Sequence, residues 1–257
     1  MSWPFSRPRV RGAPPSANGA SSFHLWWRFG RPELLEEVAV VLEIALPPEV
    51  TRLYFWALQV GFHDGHQSVG AGHTGLQWLP TAGSPQPAVN WGGYHAAGGE
   101  LDGTLSDLPS WDGNPNTRLF PWQPRHPYEL SVRRAPSSPG PDGTHAWRAT
   151  VRDLASNEET VIRDLHVRGG YLADPVVWSE VFANCDDPTV SVRWSRLRAV
   201  TVSGRTAAPD AVAVTYQARS DGGCDNTTVR VDGNAIAQDT NAARTVPDGS
   251  VIRLPPG

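Results

Sequence analysis

The sequence predicts an all-β fold, an antiparallel β-sandwich or jelly roll with a small C-terminal β extension. Three observations carry this. The 257 residues include 25 Gly and 24 Pro, a composition suited to short strands and tight turns. Apolar and polar residues alternate with period two in about a dozen short runs, the signature of strands rather than helices. Turn dipeptides such as Asp102-Gly103, Asp112-Gly113, Asn114-Pro115, Asp221-Gly222, Asp232-Gly233 and Asp248-Gly249 punctuate those runs.

Taken in order, residues 1–21 are rich in Pro, Ser and Gly and read as a disordered tail. FHLWWRF (23–29) is an aromatic strand. PELLEEV (32–38) could form a helical turn, but the β-branched run that follows, stopped by Pro47-Pro48, reads as a strand from Val38. The central stretch, residues 53–79, reads as two strands joined by a long polar loop carrying Gly65, Gly70, Gly72, Gly75, His63, His66 and His73. Its first strand is apolar on both faces, which predicts cover on both sides. Residues 88–94 resume a strand, and 95–127 read as a long irregular region holding Trp111, Phe120 and Trp122. Residues 128–133 and 145–152 form a hairpin around a Pro/Gly loop, and 158–167, 175–182, 189–195 and 199–203 continue the pattern. The expected organisation is therefore a tail (1–21), a sandwich (22–203) and a β extension (204–257) that either joins the same sandwich or forms an appended unit.

Composition narrows the function. A net charge of −4 argues against nucleic acid as the partner. All basic side chains other than His are Arg. No apolar run approaches the roughly 18 residues of a membrane helix. The start lacks the apolar core of a secretory signal, of roughly 7–15 residues, so the cytoplasm is the default expectation. Cys185 and Cys224 are the only cysteines; free thiols and a disulfide are both open, and two cysteines alone do not make a zinc site.

Tyr54-Phe55-Trp56, followed by Gly72-His73-Thr74-Gly75-Leu76-Gln77, resembles an uncharacterised bacterial family of the concanavalin-like lectin/glucanase β-sandwich fold, over residues 22–203. The resemblance implies a concanavalin-like jelly roll, a scaffold often associated with glycans, and no particular activity.

The leading expectation is non-catalytic binding of a carbohydrate or similar polar ligand through an aromatic-lined loop face. Sugars stack on aromatic rings while amides read their hydroxyls, and Gln59, Gln77, Trp78, Asn90, Trp91, Tyr94 and Trp111 supply both kinds of group, although core packing is the commoner fate of such rings. The alternatives are a glycan-active hydrolase and an interaction module without a small ligand. For the hydrolase, Gly99-Glu100-Leu101-Asp102 resembles the start of the paired-carboxylate strand of laminarinase-type glucanases. Glu100 and Asp102 would be its carboxylates, but the later acid of that strand is missing. His63, His66 and His73 are candidate zinc ligands. The run from Asp112 to Asn116 resembles the opening of a calcium loop but lacks its turn Gly, and Gln123 stands where a bidentate Glu would be. The expectation is no cofactor, with Ca or Zn as the alternative.

Overall fold

The structure, a computed structural model, describes residues 10–31, 33–81 and 85–254. The first nine residues of the expected tail lie outside these. The fold is an antiparallel β-sandwich. Its strands are β1 (Ser21–Arg28), β2 (Leu35–Leu46), β3 (Tyr54–His63), β4 (Ser68–Leu79), β5 (Gln86–His95), β6 (Thr117–Leu119), β7 (Pro127–Arg134), β8 (His145–Asp153), β9 (Glu159–Val167), β10 (Tyr171–Val181), β11 (Val190–Thr201), β12 (Thr206–Ala207), β13 (Ala211–Tyr216), β14 (Thr227–Asp232), β15 (Ala235–Thr240) and β16 (Val251–Arg253). Helical structure among the described residues is limited to two short 3-10 turns.

All strands belong to one hydrogen-bonded network with two layers. One layer runs β16-β13-β1-β10-β3-β4-β5-β6. The other runs β14-β15-β11-β2-β7-β8-β9, with β12 beside the end of β11. A single register pair, Leu35 with Leu172, links them at a corner. The apolar core lies between the layers. Phe23, Leu25 and Trp27 of β1 and Tyr54, Trp56, Leu58, Val60 and Phe62 of β3 meet Leu130 and Val132 of β7, Trp147 of β8 and Trp194 of β11. One buried indole bridges the layers through its N–H group: Trp91 of β5 donates to the Trp147 carbonyl of β8 at 3.2 Å, while within the second layer Trp194 donates to Gln238 Oε1 at 2.8 Å.

Three elements differ from the sequence reading. The expected long loop after His63 is short, because Ser68–Leu79 is one continuous strand. Its glycines are strand positions under close approach. A Cβ on Gly75 would lie 1.9 Å from the Trp56 carbonyl oxygen, and one on Gly72 would strike the rings of Trp91 and Phe62. Glycine there admits a neighbour rather than making a turn. Residues 35–38 are strand, not helical turn, since β2 is held on both sides by β11 and β7. Ala235–Thr240 is a strand although its last three residues are Gln, Asp and Thr. Its polar side chains are buried, and those of Gln238 and Asp239 are bonded, which alternation of apolar residues does not announce.

Gln238 is the main example. Its Oε1 accepts from Ser179 and Trp194, and its Nε2 donates to the Phe23 carbonyl. One amide thus ties β15 to β1, β10 and β11. Gln238→Leu leaves two buried donors and an acceptor unpaired, and we expect a loss of about 3 kcal/mol. The check is urea unfolding: the midpoint falls with an unchanged slope, and a loss below about 1 kcal/mol would mean the network is replaceable.

Residues 10–20 run along the surface beside the disulfide between Cys185 and Cys224. Val10 N–H donates to Asp225, Gly12 N–H to Asp186, and Cys185 N–H to the Gly12 carbonyl.

Candidate functional site

The layer containing β1, β10, β3, β4 and β5 has a second face, away from the core. Alternation sends Trp27, Leu25 and Phe23 inward, so His24 and Trp26 point to this face. Likewise Val176, Trp178 and Glu180 of β10, Phe55, Ala57 and Gln59 of β3, and Ala71, His73, Gly75 and Gln77 of β4 share it, as do Asn90, Gly92 and Tyr94 of β5. A second apolar cluster of Phe55, Ala57, Val176 and Trp178, with Trp26 packed against it, lies here.

Six rings cross five adjacent strands as a continuous strip. Centroid separations are 6.0 Å for Trp26–His24, 6.1 Å for His24–Trp178, 4.9 Å for Trp178–Phe55, 5.7 Å for Phe55–His73 and 6.0 Å for His73–Tyr94. The edge-on geometry of Phe55 against Trp178 is the favoured one for aromatic pairs. Beside the strip, Ala57, Gly75, Ala71 and Gly92 keep the floor low.

Burial pushes the His73 and His24 imidazoles down to about 4, so both are neutral near pH 7. Glu180 sits between Ser22 and Phe55 in register. Burial raises its carboxyl above the usual range, and the Asn18 amide donates to it at 3.2 Å, partly offsetting that. Gln59 lies four positions along β3 from the residue opposite Glu180, about 13 Å away at the usual strand rise. Glu180 is the one carboxylate of the strip among the described residues; the Asn18 amide donates to it, and it shares a register row with Gln77 through Phe55.

Two further groups complete the face. Gln77 and Asn90 are both buried, and neither Gln77 Oε1 nor Asn90 Oδ1 has a hydrogen-bond donor among the described residues. Asn90 uses its NH2 group on Thr117 Oγ1 at 3.1 Å. Asn90 faces Gly75 in register, so it is a diagonal neighbour of Gln77, at a typical separation of about 7 Å.

The residues expected from the sequence are distributed as follows. Gln59, Gln77, Asn90 and Tyr94 fall on this face, and Tyr94 is 52% exposed. Trp91 is 0% exposed and Trp122 2%. Trp78 is half-buried, packs against the core and donates to the Val50 carbonyl. Trp111 sits half-buried in the loop before β6. Of the indoles expected to form a sugar platform, Trp91 and Trp122 are thus core, and Trp78 and Trp111 are half-buried. Glu100 and Asp102 flank the buried Leu101 in a loop beyond β5; Glu100 accepts from Asn116, and no second carboxyl faces either across a groove among the described residues. His63 ends β3 and His66 lies in the β3–β4 turn, where the His63 Nδ1 accepts from the Gly65 N–H at 3.0 Å. His73 is five positions further along β4 than Ser68, the partner of His63, about 17 Å on at strand rise. The structure does not bring the three imidazoles together, and no group of three candidate metal ligands occurs among the described residues. Sequence reasoning missed His24, Phe55, Trp178 and Glu180. The available signal was that β1, β3 and β10 are apolar on both faces, which marks a second covered or occupied surface.

No family model matches this chain, and no curated protein matches it. Solved structures do. Scytalido-glutamic peptidase with a peptide-based transition-state analogue aligns with a TM-score of 0.49 at 10% identity, over 85% of this chain and 97% of that one. The same peptidase with a transition-state analogue inhibitor gives 0.48 at 12% identity over 85% and 97%. SCP-B, a member of the Eqolisin family of peptidases in complex with the tripeptide Ala-Ile-His, gives 0.48 at 10% over 85% and 97%. The expected carbohydrate-binding function and its glycan-hydrolase alternative are corrected here. Of the platform indoles Trp91 and Trp122 are in the core, and Glu100 is held by the Asn116 amide in a loop beyond β5.

Proposed function

We propose that the aromatic face binds an extended polypeptide segment. The observation that carries this reading is the pair of buried amide oxygens, Gln77 Oε1 and Asn90 Oδ1, beside the ring strip. A buried acceptor without a donor is a cost of about 1–3 kcal/mol unless a ligand supplies the donor. The strand positions that carry them are diagonal neighbours, typically about 7 Å apart, comparable with the roughly 6.8 Å between alternate N–H groups along one edge of an extended chain. The rings of Trp26, Trp178, Phe55 and Tyr94 would take apolar side chains, and the low floor of Ala57, Gly75 and Gly92 admits a backbone.

The test uses Gln77→Leu and a panel of fluorescently labelled apolar hexapeptides. Replacing an unpaired buried acceptor with an apolar group of similar size leaves stability unchanged or raised. The same change weakens peptide binding by about tenfold, the equivalent of 1.4 kcal/mol. Fluorescence polarisation and thermal unfolding read the two effects separately. Unchanged affinity, or loss of stability without loss of affinity, would refute the reading. Mass spectrometry of the same peptides is expected to return them intact, since Glu180 lacks an acid–base partner among the described residues; a cut peptide would turn a binder into a hydrolase.

The narrower bacterial family rests only on the short motifs around Trp56 and Gly75. The bonded cysteine pair supports an oxidising working compartment over the cytoplasm.

A further inference from the structure

A different part of the sandwich carries an independent site. Arg118 of β6 and Arg163 of β9 point into the space between the two layers at their open edge. They are 7% and 6% exposed. The Nε of each is buried without an acceptor, and neither forms an ion pair with a described carboxylate, unlike the arginines of the neighbouring strands. Asp164, next in sequence to Arg163, is bonded to Arg148 and Ser137. The two cations are near enough that Arg118 disfavours the charge on Arg163, as does burial, while Asp102 and Glu100 favour it from beyond contact distance.

Arg163 is held firmly. Its Nη1 donates to the Pro115 carbonyl at 3.0 Å and to Asn116 Oδ1 at 2.8 Å. The loop backbone closes over it at Gly103, where a Cβ would lie 2.6 Å from Nη2 and 2.2 Å from the Asp164 carbonyl. Thr104 N–H and His166 N–H fasten that loop to β9 at 2.8 Å each. Two like charges buried together without a contact counter-ion cost several kcal/mol each. A guanidinium fork is the group that matches a planar or tetrahedral oxyanion through paired N–H donors.

We propose that Arg118 and Arg163 form a binding site for a small oxyanion, a carboxylate or a phosphate, at the open edge between the layers. The net charge of −4 works against general accumulation of anions, so an anion response reports a local site. Glu100 and Asp102 are exposed and screened by solvent, which limits their repulsion of the incoming anion.

The experiment is thermal unfolding of the full chain at constant ionic strength, with sodium chloride exchanged stepwise for inorganic phosphate or for acetate. The expected result is a saturable rise of about 5 °C with one or both oxyanions over chloride. A response to phosphate alone, or to acetate alone, supports the site and says which chemistry fills it. Arg118→Met keeps the apolar stem and removes the unpaired charge. It is expected to match or exceed the unsubstituted protein in chloride and to lose the saturable rise. Arg163→Lys retains the charge without the fork, and about a tenfold higher anion concentration is expected to be needed for the same shift. Direct calorimetric titration of the unsubstituted protein with phosphate and with acetate gives the readout if either variant does not fold. An equal rise in the unsubstituted protein and Arg118→Met would reflect general salt stabilisation and would overturn the proposal, as would no saturable response to either anion.

Discussion

Stability is expected to fall steeply as pH drops from about 6.5 toward 4, and His24 and His73 are the main reason. Burial holds both imidazoles near 4 in the folded protein against an ordinary value of 6.5. The unfolded chain therefore binds more protons throughout that window, and stability rises with pH across it. Their contribution is fully present above the unfolded value and is lost as pH falls through the folded one. Each shift corresponds to at most about 3 kcal/mol, and the partly exposed edges of both rings reduce it. His145, also lowered by burial and by Arg134, adds in the same sense. Glu180 acts oppositely: its raised carboxyl favours the folded state at low pH and costs stability as pH rises through its folded value. Asp164 and Glu159, held low by Arg148 and by Arg133 and Arg152 against the opposing effect of burial, add a further loss below the ordinary carboxylate range. Urea midpoints between pH 4 and 8 measure the slope. His24→Phe and His73→Phe should each flatten it, and a slope unchanged in both variants would place the acid sensitivity elsewhere.

Reduction of the disulfide between Cys185 and Cys224 is expected to lower stability by about 4 kcal/mol, from loop-closure entropy over the 39-residue separation. For a chain of this size that is a fall in Tm of about 10 °C. The bond joins the turn after β10 to the loop before β14. Residues 10–20 lean on it from outside, the Cys185 N–H donating to the Gly12 carbonyl, and the Cys224 N–H donates to Ser21 Oγ at the start of β1. Limited proteolysis with and without reductant is expected to show new cleavage within residues 10–20 on reduction. Equal Tm values in the oxidised and reduced protein, or in a Cys185→Ala/Cys224→Ala variant, would mean that the hydrogen bonds around it suffice.

Much of the chain declares itself locally. The strands β7 and β8 around their Pro/Gly loop were readable from alternation alone, because successive side chains on a strand point to opposite faces and turn residues act through their own φ and ψ. Gln59, Gln77, Asn90 and Tyr94, polar or aromatic groups of the central strands, share one face. The glycines of β4 misled, since a glycine that admits a neighbouring strand and one that makes a turn look identical in sequence. The polar strand β15 was missed because Gln238 and Asp239 are satisfied only by partners distant in the chain.

The sequence by itself determined the all-β class, most strand positions and the apolar character of both faces of β3. Tertiary structure alone decided which of those faces is core. Trp26 and Trp27 are neighbours of the same type, yet one packs inward with Leu25 and Phe23 and the other lines the ring strip with His24 and Trp178. The physical reason is that burial depends on what lies across the layer. The second sheet covers one face only, and its position is set by pairings between strands far apart in the chain. The same holds for the cysteine pairing and for Arg118 beside Arg163, whose proximity no local pattern encodes.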